Sequence, residues 1–211
     1  MLEAIRRGPA QGAAQQLVVL LHGVGANGQD LIDLAASWSP ALPHAAFVSF
    51  DAPEPYDGAP FGRQWFSLAD RTPAAVAAGA RRAMPVLLAA IEAERARLGL
   101  PGRRVAIMGF SQGAMMALFA GLQRDPAPAA VLAYSGALLA FEPANYAPVL
   151  LVHGEVDEVV PWQRGRDAER DLRAMGVPVE TVWCPGLGHG IDAAGLSAGG
   201  LFLQRSFALA E

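Results

Sequence analysis

Gly109-Phe110-Ser111-Gln112-Gly113 is a G-x-S-x-G pentapeptide whose surroundings give the serine a chemical meaning. Val105-Ala106-Ile107-Met108 precedes it as a strand-type run, and the apolar segment beginning Ala114-Met115-Met116 follows as a helical one. A serine on a tight strand-to-helix turn stands clear of the sheet edge, and glycines on either side leave space that side chains would fill. The helix start sets positive potential beneath the reacting oxygen. The competing reading is an ordinary turn with Ser111 as a helix cap.

A serine hydroxyl is a poor nucleophile alone and needs an adjacent base, which in this chain order follows an acid. His189 lies in the glycine-rich segment Pro185-Gly186-Leu187-Gly188-His189-Gly190, where an imidazole can reach across the top of a sheet. His22 and His153 each end an apolar run, but both precede the acid in the sequence; His44 sits between Pro43 and Ala45 in an expected surface loop. The acid comes from Glu155, Asp157 or Glu158, which follow the apolar run ending at His153. Asp157 is assigned, with Val159-Val160-Pro161 packing behind it and the two glutamates read as solvated or structural. Its task is to hold the histidine tautomer and stabilise the imidazolium; otherwise it is a turn residue.

Acyl transfer also requires donors aimed at the developing alkoxide. The backbone N–H of Gln112 supplies one. Leu20-Leu21-His22-Gly23-Val24-Gly25 supplies the second, assigned to the Val24 N–H, because glycines at 23 and 25 let the backbone approach closely. A phosphate-binding loop is excluded, since no G-K-[ST] follows and the chain contains no lysine. No metal and no cofactor are expected.

The elements that must position these groups alternate. Short β-type runs at 17–21, 45–50, 105–109, 131–134, 149–153 and 179–183 read as strands, most of them apolar throughout as expected for strands buried on both faces of a parallel sheet. Helical patterns fall at 29–38, 72–98, 112–123, 163–175 and 196–210; Thr72 caps the second, Pro73 opens it, and Pro85 is expected to kink or split it. The alternation predicts an α/β fold, a doubly wound and mostly parallel sheet flanked by helices, as one domain over 1–211. The long loop from Asp51 to Arg71 carries Trp65, which reads either as a wall of the substrate pocket or as a core aromatic anchoring the loop.

Composition narrows the rest. Of 211 residues 53% are hydrophobic and 17% charged, a balance that builds a core rather than a disordered chain. A net charge of −4 and a pI of about 5.6, with no basic stripe, argue against a nucleic-acid partner. The single cysteine, Cys184, cannot form an internal disulfide. The N-terminus lacks a signal-type apolar stretch and no apolar run approaches spanning length, so a cytoplasmic location and no membrane span are expected. The apolar composition is compatible with a homodimer.

The ordered set Leu21-His22-Gly23-Val24-Gly25, Arg63-Gln64-Trp65-Phe66, Gly109-Phe110-Ser111-Gln112-Gly113, His153-Gly154-Glu155-Val156-Asp157-Glu158-Val159-Val160-Pro161 and Gly188-His189-Gly190 resembles the phospholipase/carboxylesterase family, which includes acyl-protein thioesterases. The resemblance implies a compact α/β hydrolase without a sizeable cap domain, cleaving carboxylic esters or thioesters, with oxyanion donors at Val24 and Gln112. Two positions depart from the family pattern: Ser67, where relatives often carry Asp after Trp-Phe, and Ala114, where they commonly carry Gly. The expected substrates are short- to medium-chain esters, lysophospholipids or acyl thioesters. The competing functions are a catalytically silent binding module, which should have lost a triad member, and a peptidase. A dienelactone-type hydrolase would require Cys at 111.

Overall fold

The computed structural model describes residues 2–210, so the first and last residues of the expected domain lie outside the described residues. The described strands are β1 (Ala4–Arg7), β2 (Gln16–Leu21), β3 (Ala45–Phe50), β4 (Glu54–Pro55), β5 (Arg63–Gln64), β6 (Val105–Phe110), β7 (Ala130–Tyr134), β8 (Val149–Gly154) and β9 (Val179–Cys184). The helices are α1 (Gln29–Ile32), α2 (Leu34–Trp38), α3 (Pro73–Arg97), α4 (Gln112–Gly121), α5 (Gln163–Ala174) and α6 (Ala193–Leu209). All six predicted strands form, each end within one residue of expectation.

Seven strands make one sheet in the order β1-β3-β2-β6-β7-β8-β9, parallel throughout except for β1, which runs antiparallel to β3. The order reverses between β2 and β6. From β2 the chain first steps outward to β3, and the later strands build away on the other side. A crevice opens at the carboxyl ends of strands at such a reversal, and ligands bind there in open α/β sheets. Leu21 pairs with Gly109 across this seam, so the glycine loop after β2 and the serine turn after β6 emerge side by side.

Side chains alternate between the two faces. Leu17, Val19 and Leu21 join the core under α3, α4 and α5, whereas Val18 and Leu20 join the core under α1, α2 and α6. Each large apolar side chain buried in this way contributes about 1.5–3 kcal/mol. Helix α4 is buried nearly all round, as a helix apolar on every side must be.

Three helix expectations need correction. Residues 29–38 form two short helices interrupted at Asp33, where the Ala36 N–H reaches back only three residues to the Asp33 carbonyl at 3.0 Å. Pro85 does not split α3: it lies on the exposed face, so the Arg81 carbonyl it deprives of a partner faces solvent. Helix α6 begins at Ala193, because Asp192 accepts the Gly195 N–H at 2.7 Å as an N-cap. Helix α3 also reaches the length and apolar composition that could cross a bilayer, contrary to the expectation that no segment does. Here its Ala80, Ala83, Leu87 and Ile91 stripe is buried in the core it shares with α4, and Arg81 and Arg82 stand on the outer face.

Candidate active site

The turn after β6 is built around a forced backbone. Ser111 has φ +55° and ψ −118°, a region that costs a non-glycine residue of order 1–3 kcal/mol. Its neighbours make room for it. A Cβ on Gly109 would overlap the Gly113 carbonyl, and a Cβ on Gly113 would overlap the carbonyls of Leu21 and His22. The Ser111 N–H continues the ladder to the Tyr134 carbonyl at 2.9 Å, and its carbonyl accepts the Ala114 N–H at 3.0 Å to start α4. The serine stands at the N-cap position, yet its side chain makes no capping bond. Its Oγ instead lies 3.0 Å from His189 Nε2.

His189 sits on the loop after β9, and its Nδ1 lies 2.8 Å from Asp157 Oδ2. The loops after β8 and β9 are laced together: the Glu155 N–H donates to the Cys184 carbonyl at 3.0 Å and the Val156 N–H to the Leu187 carbonyl at 3.1 Å. A Cβ on Gly154 would overlap the Leu187 and Gly188 carbonyls, so the acid loop and the histidine loop meet at backbone distance. The Phe110 ring supports the imidazole, with centroids 4.8 Å apart.

Asp157 is 4% exposed and fully engaged. Its Oδ1 accepts the Val159 and Val160 N–H groups, each at 2.9 Å, and His153 Nε2 lies 3.4 Å from Oδ2. His153 Nε2 also lies 2.8 Å from the Val160 carbonyl, which fixes that nitrogen as a donor. Burial pushes the Asp157 carboxyl up, but the His189 hydrogen bond and the two backbone N–H groups outweigh it and hold the carboxyl below its ordinary 3.8. Glu155 and Glu158 are exposed.

Across the seam, the glycine loop is pinned from above. The Gly25 N–H donates to the Arg63 carbonyl at 2.8 Å, and the Arg63 N–H returns to the Ala26 carbonyl at 2.8 Å. Arg63 also reaches the carbonyls of Ala52 and Pro53, both at 2.8 Å. Gly62, at φ +84°, is required because a Cβ there would overlap the Gly25 carbonyl. Among the described residues, the backbone N–H groups of Val24 and Gln112 donate to no protein acceptor.

Trp65 corrects one expectation: with 0% exposure it cannot wall an open pocket, and it anchors the long loop instead. Its indole N–H donates to the His22 carbonyl at 2.9 Å, and its backbone N–H donates to Gln112 Oε1 at 2.9 Å. Gln112 Nε2 donates to the Phe66 carbonyl at 2.8 Å. Both ends of the Gln112 side chain are therefore committed to residues 65 and 66. His22 is equally committed. Its Nδ1 lies 2.7 Å from the Gly23 carbonyl, and its Nε2 accepts the Ala52 N–H at 3.0 Å. Burial holds this imidazole below its ordinary 6.5 despite the Gly23 carbonyl.

The two departures from the family pattern have local explanations. The Ala114 methyl faces Gly136, where a Cβ would come within 2.5 Å of it; the extra carbon at one position is matched by its absence at the other. Ser67 donates to Asp57 Oδ2 at 2.5 Å and accepts the Ala69 N–H at 3.1 Å, closing the loop with a hydroxyl instead of a second carboxylate.

Sequence reasoning missed Ser135, which follows β7 buried with φ +51° and lies 3.5 Å from the Gly190 carbonyl beside His189. Its only sequence signal is a Ser-Gly pair after a strand. The roles of Arg63 and Gln112 side chains were missed as well, because backbone carbonyls as partners leave no trace in composition.

The Phospholipase/Carboxylesterase family matches residues 8–206. The esterase YpfH of Escherichia coli (strain K12) is 34% identical over 182 residues, covering 85% of this chain and 78% of that protein. Acyl-protein thioesterase 1 of Schizosaccharomyces pombe is 32% identical over 164 residues, 68% of this chain and 69% of its own length. The crystal structure of esterase PE8 is similar with a TM-score of 0.91 at 39% identity, covering 97% of this chain and 98% of that one.

Proposed function

Since the chain belongs to the phospholipase/carboxylesterase family and is a carboxylic ester hydrolase, we propose that it is a serine esterase working through an acyl-enzyme on Ser111. Its substrates in this reading are short- to medium-chain carboxylic esters, with lysophospholipids and acyl thioesters in the same class. The observation that carries the reading is the unbroken relay from Asp157 Oδ2 to His189 Nδ1 at 2.8 Å and from His189 Nε2 to Ser111 Oγ at 3.0 Å.

The chemistry follows from the geometry. Asp157, held ionised, keeps the proton of His189 on Nδ1 and leaves the Nε2 lone pair facing the serine. Ser111 Oγ attacks the ester carbonyl as Nε2 takes its proton. The N–H groups of Val24 and Gln112 receive the negative oxygen, with the start of α4 adding positive potential. The imidazolium then protonates the departing alcohol or thiol, leaving the acyl group on Ser111. Water, activated by the same nitrogen, releases the acid and restores the serine.

The test pairs a substrate panel with one variant. The panel runs p-nitrophenyl esters of increasing chain length, a lysophospholipid, an acyl thioester and casein. Ser111→Ala should lower turnover of p-nitrophenyl butyrate by a factor on the order of a million, as in other serine triads. It should also abolish labelling by a fluorophosphonate probe. Undiminished hydrolysis by that variant overturns the mechanism, and cleavage of casein in preference to the esters overturns the substrate class.

A further inference from the structure

Building on the reading of Val24 and Gln112 as oxyanion donors, we infer that His22 and Trp65 are positioning residues that fix the Val24 N–H by gripping the two preceding peptide carbonyls. The Trp65 indole N–H holds the His22 carbonyl at 2.9 Å, which sets the 22–23 peptide plane. His22 Nδ1 holds the Gly23 carbonyl at 2.7 Å, which sets the 23–24 plane. A peptide is planar and trans, so its C=O and N–H point in opposite directions. Fixing the Gly23 oxygen therefore aims the Val24 N–H.

The ring can perform this task in one state only. The Ala52 N–H donates to Nε2 at 3.0 Å, so Nε2 must carry a lone pair and Nδ1 must carry the proton. The imidazole is wholly buried and tilts 37° against the Trp65 ring at a centroid distance of 5.6 Å. Polarising the Gly23 carbonyl also strengthens the N–H on the same peptide, since linked hydrogen bonds reinforce one another.

The second donor is tied to the first. Gln112 Oε1 accepts the Trp65 backbone N–H at 2.9 Å and Nε2 donates to the Phe66 carbonyl at 2.8 Å. The residue whose backbone supplies one donor thus grips, with its side chain, the tryptophan that steadies the other. The 65–66 loop acts as a strut between the two sides of the seam, which sets the spacing of the two donors.

Trp65→Phe removes the indole N–H and keeps an aromatic ring; His22→Asn keeps a donor near the Nδ1 position, and His22→Leu removes it. The assay reads kcat and KM for p-nitrophenyl butyrate and the inhibition constant of a trifluoromethyl ketone, which forms a tetrahedral oxyanion on the serine. Full loss of one oxyanion donor costs roughly 100- to 1,000-fold in kcat, so a donor that is present but misaimed should cost about 10- to 100-fold. Trp65→Phe and His22→Leu should lose that factor in kcat and weaken the ketone by the same factor, with KM and the pH profile unchanged. His22→Asn should recover most of the His22→Leu loss. Unaltered kcat and ketone affinity in folded Trp65→Phe overturns the inference, and so does a fall in kcat that the ketone does not follow. If Trp65→Phe does not fold, equal activities of His22→Asn and His22→Leu overturn it. A parent enzyme that the ketone fails to inhibit instead sinks the acyl-enzyme reading beneath it.

Discussion

Asp157 Oδ2 lies 2.8 Å from His189 Nδ1, while the other oxygen of the same carboxylate is filled by two backbone N–H groups. The carboxylate cannot rotate without losing three donors at once, so the imidazole is aimed by a fixed acceptor. Asp157→Asn presents an amide to this pocket, and an NH2 facing Nδ1 selects the wrong tautomer. A fall in kcat of about 10,000-fold is expected, with KM little changed. Steady-state kinetics on p-nitrophenyl butyrate measure it, and a loss below tenfold contradicts the role given to Asp157.

Gly113→Ala sets two effects against each other. Alanine within a helix gains about 0.5–1 kcal/mol over glycine. The added carbon meets the backbone carbonyls of Leu21 and His22, which lie on a central strand and its attached loop and cannot swing aside. Overpacking of this kind costs typically 1–3 kcal/mol, and rigid backbone puts it at the upper end. The net change should be a destabilisation of about 2 kcal/mol, read from urea denaturation. A neutral or stabilised variant would show that the seam is looser than described.

Acid should weaken the fold in two stages. The buried His22 imidazole sits below its ordinary 6.5, so on acidification the unfolded chain takes up that proton first and stability falls from about 6.5 downward. Asp157, held below 3.8, extends the loss to lower pH, because its native partners favour the ionised form. Thermal midpoints measured from roughly pH 8 to 2 should be flat above about 7 and decline below it, with the second stage below about 4. His22→Asn should have a lower midpoint throughout but a shallower decline in the first stage. An equal slope in parent and variant removes His22 as the source.

Pro85 offers a gain. Within a helix, proline costs about 3 kcal/mol relative to alanine, against which its stiffness in the unfolded chain returns about 0.4–1 kcal/mol. Pro85 lies exposed in α3, so Pro85→Ala loses little packing and restores a bond to the Arg81 carbonyl. Stabilisation of about 2–2.6 kcal/mol is expected, a rise of some 4–10 °C in melting temperature by calorimetry. Kinetic constants should not move, and a lower midpoint would mean the ring packs better than its exposure implies.

The parts legible in the sequence are those whose cause is local. The central strands declare themselves because β2, β3, β6, β7 and β8 are buried on both faces, leaving unbroken apolar runs. Ser111 and Asp157 are legible because each stands in a turn after such a run, and His189 because it lies in a glycine-rich segment after β9. Strand β1 is illegible: three of its four residues are exposed, and it is held by pairing to β3 and by the Arg6 bond to Glu94 at 2.9 Å. The β4–β5 ribbon is two residues a side and exists because Arg63 closes it over the glycine loop. Trp65 reads equally well as wall or anchor until its indole finds the His22 carbonyl 43 residues away.

The base is carried on the loop after β9, the last strand and an edge of the sheet. A chain ending before β9 would hold the elbow and the Asp157 loop but lack the imidazole that activates the hydroxyl. Reactivity toward a fluorophosphonate thus depends on β9 being docked at its edge of the sheet, and a chain cut before that strand should not react with the probe.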